Sequence, residues 1–271
     1  MRGLIYYLMG KTLQEILANA NDKKEYVDVF AQYLLKECSV RKTNKKADPV
    51  SVISTNWDIL LDTSIQKVID ASKQDAVVDY CCYIGSFAEG DERIKPGVEV
   101  LGRGGFNVKL LKLHGSLNWL QCPQCLRVYV DLDDKIAVDQ YLMHETCRHC
   151  NKHFGEQRSH ELISNLIMPT FLKDFSNPQY KLIWQNAGIE LSEADKVVFI
   201  GYSLPQADFE MRQLLARMLR TDAEIEVVTY DNGDKKALEL FKERYDVFFG
   251  KRKPTYYLKG AKQYVLERFG A

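Results

Sequence analysis

The sequence predicts an α/β fold, with a mostly parallel sheet flanked by helices and a small insert that contains four cysteines. Short apolar or β-branched runs alternate along the chain with segments of helical periodicity, and the connections between them are short. Strands that alternate with helices in this way usually pair in parallel, because each helix returns the chain to the same end of the sheet.

Length and composition describe an ordinary folded protein. The chain has 271 residues, of which 46% are hydrophobic and 27% charged, and we predict a single domain over 1–271 with a sizeable core. The 37 basic and 37 acidic residues balance, so neither nucleic acid nor an anionic membrane is expected as a partner. The apolar run from Leu4 to Met9 is too short for a signal-peptide core or a membrane span, and we expect a cytoplasmic protein.

The individual elements follow from periodicity, in chain order. The first half is predicted as a helical hairpin over the first forty residues, a strand at 50–54, a helix at 59–69, irregular chain with room for a hairpin at 76–105, and a strand at 108–113. The second half is predicted as a helix at 179–191, a strand at 196–200, a helix at 209–219, a strand at 224–230 and two further helices. We predict that four aromatic residues lie on the late helix and belong to the core or to a contact in a homo-oligomer. They are Tyr256, Tyr257, Tyr264 and Phe269.

Two C-x-x-C pairs predict a metal site. Cys122 and Cys125 form the first pair, Cys147 and Cys150 form the second, and 21 residues (126–146) separate them. With this arrangement two zinc knuckles place four thiolates in a tetrahedron. Four protein ligands leave no open position for a substrate, so the predicted zinc is structural and stabilises an insert at 119–165.

Neighbouring residues leave alternatives to that ligand set. The four thiols can be unrelated, and His144, His149 and His153 are close enough in the chain for one to replace a cysteine. A zinc ribbon that binds nucleic acid is disfavoured, because acidic residues are mixed with few basic ones between the knuckles. Within the knuckles, Asn151 suits the left-handed conformation that such turns often need, and Leu126 suits it less.

Polar turns follow three of the predicted strands, at the edge of an α/β sheet where ligands bind. Each turn has an ordinary structural interpretation, because an Asn or Asp after a strand is usually a turn former or helix cap and a His-Gly pair is usually a turn. Their order, with the four-cysteine insert beginning eight residues after His114, is much rarer than any one of them. The three turns present Ser54, Thr55, Asn56 and Asp58, then His114, Gly115 and Ser116, then Gly201 and Ser203.

In this order the motifs resemble the sirtuin-like family, in particular its bacterial silent-information-regulator-like branch. The resemblance covers residues 50–232 and implies a Rossmann-like domain. It rests on Ser54 to Asp58, on Lys112 to Trp119, on the two cysteine pairs, on Ile200 to Pro205 with Asp208, and on Val227 to Asp231.

This resemblance implies an NAD site and roles for its residues. Asn56 and Asp58 would hold the nicotinamide-side ribose and the amide, and His114 would be the catalytic base. Gly201 and Ser203 would line the path of the phosphates and ribose. The further cofactor-side positions that it implies are Ser54, Thr55, Trp57 and Asp231, the last where the family strand ends at the adenine-side ribose.

The sequence departs from the family at its beginning. The family opens with a strand and a Gly-Ala-Gly-x-Ser type loop that holds the pyrophosphate, and nothing before residue 50 has this pattern. The glycine-rich run from Gly102 to Gly105 precedes a strand, whereas such a loop follows one. We therefore expect either a fragment or a protein that has lost dinucleotide binding.

The chemistry that the resemblance implies is cleavage of the bond between nicotinamide and ribose. A neutral pyridine leaves, so the site has to stabilise a cationic sugar and place a nucleophile. We expect hydrolysis of NAD⁺ to nicotinamide and ADP-ribose, because the segment from Gly201 to Pro205 is similar to that of NAD-depleting defence effectors. An NAD-dependent protein deacylase and a non-catalytic, zinc-stapled binding module are the alternatives.

Overall fold

The computed structural model describes residues 7–8, 11–12, 25–133, 136–155, 157–167 and 175–270. They fall into two compact units, one made of the described residues up to 167 together with 175–184, the other of residues 185–270. The first helix of the predicted hairpin lies mostly outside the described residues. No described helix is long and apolar enough to cross a membrane.

The first unit contains most of the described helices and strands. Its helices are α1 (Glu25–Cys38), α2 (Leu60–Ser72), α3 (Gly97–Gly102), α4 (Ile136–Met143), α5 (Arg148–Phe154) and the start of α6 (Pro178–Glu193). Its strands are β1 (Val52–Ser54), β2 (Ala76–Asp79), β3 (Ile84–Ser86), β4 (Phe106–Lys112), β5 (Gly115–Gln121), β6 (Val128–Val130) and β7 (Ile163–Leu166).

A parallel sheet of three strands, in the order β1-β4-β2, forms the centre of this unit. The middle strand β4 is almost entirely buried, as its apolar residues Val108, Leu110 and Leu111 require. Helix α1 packs against α2 and β4, and α3 packs against β2 and β4. The predicted strand at 50–54, helix at 59–69 and strand at 108–113 are confirmed as β1, α2 and β4.

The prediction of irregular chain at 76–105 is wrong. This stretch contains β2, β3 and α3, and β2 is a core strand of the parallel sheet. Strand β2 has only four residues, and it takes its hydrogen bonds from β4, where Val78 pairs with Val108. A partner this far along the chain leaves no trace in the local hydrophobic pattern.

The cysteine-rich part of the chain forms a sheet of its own, in the order β3-β6-β5-β7. Strand β5 is antiparallel to both of its neighbours, whereas β3 and β6 are parallel. The sheet therefore extends beyond the predicted insert at 119–165, because β3 comes from residues 84–86. The 21 residues between the two cysteine pairs contain strand β6 and helix α4.

The second unit contains a parallel sheet in the order β10-β9-β8. Strand β8 (Lys196–Ile200) is paired with β9 (Glu224–Val228), and β9 with β10 (Thr255–Tyr257). The helices are the rest of α6, then α7 (Phe209–Met218), α8 (Lys235–Phe249) and α9 (Gly260–Phe269).

The prediction that the four late aromatic residues lie on one helix is wrong. Tyr256 and Tyr257 belong to β10, whereas Tyr264 and Phe269 lie on α9. Aromatic residues favour strands, and Pro254 directly before β10 interrupts any helix that would start earlier. The described parallel sheets of the two units and their flanking helices confirm the predicted α/β class.

Candidate functional site

The carboxyl ends of β1 and β4 lie side by side. These strands are parallel, and the register pairs the last residue of each, Ser54 with Lys112. The predicted turn residues that follow these strands, Thr55 after β1 and His114 after β4, therefore lie at the same edge of the sheet, while Gly115 and Ser116 of the second predicted turn already belong to β5. In parallel α/β sheets this edge is where ligands bind.

His114 is joined to the neighbouring turn through its ring. Its Nδ1 lies 3.1 Å from the carbonyl oxygen of Thr55. A carbonyl only accepts hydrogen bonds, so Nδ1 carries the hydrogen, and in the neutral ring the lone pair is on Nε2. His114 is only 2% exposed, and its ring centroid lies 6.4 Å from that of Trp184. The structure thus holds His114 in the tautomer that a general base at Nε2 requires.

Hydrogen bonds with Leu113, with strand β5 and with Ile167 hold the turn at 55–58 and the residue before it. Leu113 N donates to Ser54 O at 2.9 Å, and Leu117 N donates to Trp57 O at 2.8 Å. The indole nitrogen of Trp57 donates to Ile167 O at 3.2 Å, so this side chain has a structural contact of its own. Asn56, the predicted nicotinamide-side residue, lies in the middle of this turn and is exposed.

Asp58 has a structural role at the start of α2. Its Oδ1 accepts a hydrogen bond from Leu60 N at 3.1 Å, and Leu60 is the first residue of that helix. This is the ordinary interpretation of an Asp after a strand. The carboxylate also raises the pKa of Tyr26, whose burial is the larger cause. Asp58 therefore forms the turn that leads into α2 and also places a carboxylate beside this end of β1.

Gly115 is required by packing. Its φ is +78°, and a Cβ there would lie 2.0 Å from Asn165 O and 2.3 Å from the hydroxyl of Tyr180. Only glycine allows β5 to begin directly after His114 while it contacts β7 and α6 this closely. The glycine of the His-Gly pair thus has a structural explanation.

A buried polar network beneath the turn was not predicted. Lys112 and Asp62 are each 1% exposed, and Lys112 Nζ donates to Asp62 Oδ2 at 3.1 Å. The other carboxylate oxygen of Asp62 accepts from the hydroxyl of buried Tyr80 at 2.8 Å. Lys112 Nζ also donates to the carbonyl oxygen of Asp58. The signal in the sequence was a lysine at the end of an apolar strand, since buried lysines need partners.

The second unit places Gly201 and Ser203 in an open turn after β8. Both residues are exposed, Gly201 has a φ of +68°, and no atom lies within 4 Å of where its Cβ would be. Tyr202 lies between them, and its hydroxyl donates to Asp208 Oδ2 at 2.8 Å. The backbone carbonyl oxygen of Tyr202 accepts a hydrogen bond from the Tyr245 hydroxyl at 2.6 Å. Burial and the Asp208 carboxylate raise the pKa of Tyr202, so its phenol stays neutral. The turn is thus fixed by the two tyrosines and by Gly201 N, which donates to Val228 O at 3.2 Å, and the space beside Gly201 is open.

Asp231 lies beyond the end of β9, the neighbour of β8. It is exposed, and its Oδ1 accepts a hydrogen bond from Gly233 N at 2.9 Å. Its backbone N donates to Leu258 O at 3.0 Å. This aspartate therefore forms a turn, and its second carboxylate oxygen is not used in that turn.

The four cysteines come together as predicted. Their sulfur atoms all lie within 4.8 Å of one another, with 3.8 Å between Cys122 and Cys150 and 3.7 Å between Cys125 and Cys147. Tetrahedral zinc with Zn–S bonds of about 2.3 Å separates its sulfurs by about 3.8 Å. The cluster therefore fits structural zinc. Among the described residues no histidine joins this group, and His144 instead pairs with Glu161.

The knuckle backbone differs from the prediction. Leu126 has a φ of +57°, and its N donates to Cys122 O at 3.0 Å, so the left-handed position lies in the first knuckle. Asn151 is instead part of α5, with its N donating to Cys147 O at 2.9 Å. The second knuckle continues directly into a helix, which needs no left-handed residue. Burial opposes ionisation of Cys147, but hydrogen bonds, first from the Tyr129 hydroxyl, lower its thiol pKa to about 7.

Comparison with known proteins gives only distant likenesses. No protein-family model matches the sequence, and no curated protein matches it either. A structure from a study of sirtuin substrate affinity is 15% identical, with a TM-score of 0.36 over 64% of this chain and 61% of that one. A mutant Sir2 homologue in complex with ADP-ribose is 14% identical, with a TM-score of 0.40 over 93% of this chain and 75% of that one. A Sir2 complex with a p53 peptide and NAD⁺ is 14% identical, with a TM-score of 0.35 over 88% and 96%.

Proposed function

We propose that this protein is a sirtuin-like enzyme of the bacterial branch that hydrolyses NAD⁺ to nicotinamide and ADP-ribose. The observation that carries the proposal is the hydrogen bond between His114 Nδ1 and Thr55 O, which links the base to the turn that presents Asn56. The two motifs are 59 positions apart in the chain. Their joining at one sheet edge supports the roles that the sequence resemblance implies.

In this reaction the bond between the ribose C1′ and the nicotinamide nitrogen breaks, and its electron pair leaves with the neutral pyridine. The sugar becomes a cation, which the negative charge of Asp58 and the amide oxygen of Asn56 would stabilise. His114 Nε2 would take a proton from the attacking water or from a ribose hydroxyl. The new C1′–O bond gives ADP-ribose, and one proton is released overall.

The second unit contains the residues that the resemblance assigns to the phosphates and the adenine-side ribose. Gly201 N donates to Val228 O at 3.2 Å, but the missing side chain lets a phosphate approach this turn. Ser203 is exposed and can donate its hydroxyl hydrogen to a phosphate or ribose oxygen. Asp231 would accept from the adenine-side ribose through the oxygen that its turn does not use. Each of these contacts is part of the proposal.

The choice of water as acceptor rests on the segment from Gly201 to Pro205, which resembles NAD-depleting defence effectors. We also propose a cytoplasmic location, because paired cysteines that bind zinc suit a reducing compartment. An enzyme of this kind would deplete the NAD⁺ of its own cell. It would therefore need an activating signal, and a homo-oligomer is one form in which that signal could act.

The product in labelled water tests the proposed acceptor. The purified protein is incubated with NAD⁺ in isotopically labelled water, and the products are separated and weighed by mass spectrometry. Hydrolysis predicts ADP-ribose that carries one labelled oxygen, in equal amount to nicotinamide. Asn56→Ala should lower the rate about 100-fold, because a polar group at the reacting sugar is lost.

Two controls accompany that experiment. Asn44→Ala, in an exposed turn away from this edge, should leave the rate unchanged. An acetylated lysine peptide added to the reaction tests the deacylase alternative. Formation of acetyl-ADP-ribose in place of ADP-ribose would contradict hydrolysis, and equal rates for Asn56→Ala and wild type would contradict the role of Asn56.

A further inference from the structure

We infer that Lys112 is a positioning residue, which holds the Asn56 turn in its working geometry through the carbonyl of Asp58. The inference rests on the proposed function for its catalytic consequence, but its structural part can be tested without it. Lys112 lies two residues before His114, at the end of the buried strand β4, and is itself 1% exposed.

The contacts of Lys112 join three elements. Its ammonium group donates to Asp62 Oδ2 on α2 at 3.1 Å and to the carbonyl oxygen of Asp58 in the turn after β1. His114 on the same stretch of chain holds the other end of that turn through Thr55 O. The two ends of the turn, Thr55 and Asp58, are thus held by two side chains from the end of β4. Asn56 lies between these two points.

Stability does not explain this network. Removing an ammonium group and a carboxylate from water is unfavourable, and a buried ion pair often stabilises a fold no better than apolar residues of the same volume. What such a pair does provide is direction, because its hydrogen bonds fix the groups that they join. Here the hydroxyl of Tyr80 fixes Asp62 at 2.8 Å, Asp62 fixes Lys112, and Lys112 fixes the Asp58 carbonyl.

The charge of the pair is suited to the proposed reaction. An unpaired ammonium group behind the turn would oppose the positive charge that develops on the sugar. Asp62 neutralises it at 3.1 Å, so that Lys112 can hold the carbonyl with little net charge at this edge. A neutral donor in place of Lys112 would need no carboxylate to neutralise it, but it would form a weaker hydrogen bond to the Asp58 carbonyl.

The test compares single and double variants. Lys112→Met removes the donor and leaves the Asp62 carboxylate buried without its cation, so we expect a less stable protein. The double variant Lys112→Met/Asp62→Asn removes both charges, and the Asn oxygen can still accept from Tyr80. We expect the double variant to regain most of the lost stability in thermal unfolding.

Two readouts on the double variant then decide the inference. Amide hydrogen exchange in the peptide that contains 55–58 should be about 10-fold faster than in wild type, while exchange in β8 and β9 of the second unit stays unchanged. The kcat for NAD⁺ should be about 10- to 100-fold lower than in wild type, because the turn is misplaced. The KM should change less than the kcat. Wild-type exchange in the turn of the stable double variant would overturn the inference.

Failure of the two proposals is distinguishable. If wild type consumes no NAD⁺, the proposed function is wrong, and the exchange rate of the turn still decides whether Lys112 positions it. If wild type is active and the double variant keeps both its stability and its kcat, Lys112 is only part of the core. Asp62→Asn alone, which leaves the ammonium group unpaired, should lower kcat more than the double variant does.

Discussion

The four-cysteine cluster and the Asn56 turn each begin directly after a strand, β5 and β1, yet they are held in different ways. The cluster takes its four ligands from two short motifs, and its sulfurs already have the spacing of tetrahedral zinc. The turn is held by carbonyl contacts to β4, to β5 and to Ile167, none of which is near it in the chain. The cysteine cluster is therefore specified by two short motifs, and the candidate turn by the tertiary structure around it.

The largest effect is expected from removing a zinc ligand. Cys122→Ser should release the metal and unfold the sheet β3-β6-β5-β7, because zinc binding at such sites contributes on the order of 10 kcal/mol. Elemental analysis measures the loss of zinc, and amide hydrogen exchange of that sheet measures its unfolding. Cys81→Ser is the matched control, since Cys81 lies outside the four-sulfur group. Full zinc content in Cys122→Ser would contradict the assigned ligands.

A smaller effect is expected at the glycine between the two regions. Gly115→Ala should destabilise the protein by about 3 kcal/mol, because its Cβ would overlap the backbone oxygen of Asn165 as well as require an unfavourable φ. Gly104→Ala is the control for backbone strain alone, with φ +91° and open space around it, and should cost about 1 kcal/mol. Denaturant unfolding measures both. Equal losses would show that the close contact is not what requires glycine at 115.

The smallest effect on stability is expected at Asp58, where the comparison becomes sharpest. Asp58→Ala should cost about 1 kcal/mol, because the first turn of α2 loses its acceptor. Asp58→Asn should keep that stability, since an amide oxygen can accept the same hydrogen bond. If its charge stabilises the sugar cation, Asp58→Asn should nevertheless lower NAD⁺ turnover about 10-fold or more. Wild-type turnover in Asp58→Asn would assign the residue to the helix alone.

The sequence predicted those parts of the fold whose structure follows from the local residue pattern. The strand at 196–200, the helix at 209–219 and the cysteine cluster each follow from a single window of residues, and each is confirmed. Strands β2 and β10 were missed because they are short, and their pairing with β4 and β9 decides their structure. The left-handed residue was expected at Asn151, but the second knuckle turned out to begin a helix.

The candidate site shows the same division. The turns that carry Asn56 and His114 were predicted from their places after strands, and the structure brings them to one edge. Neither Asp62 nor Tyr80 was predicted, because each is an ordinary residue of its own helix or strand end until folding brings it to Lys112. Sequence spacing identified the candidate site residues, whereas the residues that hold them in place become visible only in the fold.

The most direct test of the central claim is nicotinamide release from NAD⁺ by wild type and two His114 variants, followed by chromatography. His114→Ala removes the proposed base, and His114→Gln keeps an N–H donor for Thr55 O while it removes the basic nitrogen. We expect release by wild type and a loss of about 100-fold or more in both variants, with zinc content unchanged. Wild-type rates in His114→Gln, or no release by a folded and zinc-loaded wild type, would contradict the assignment.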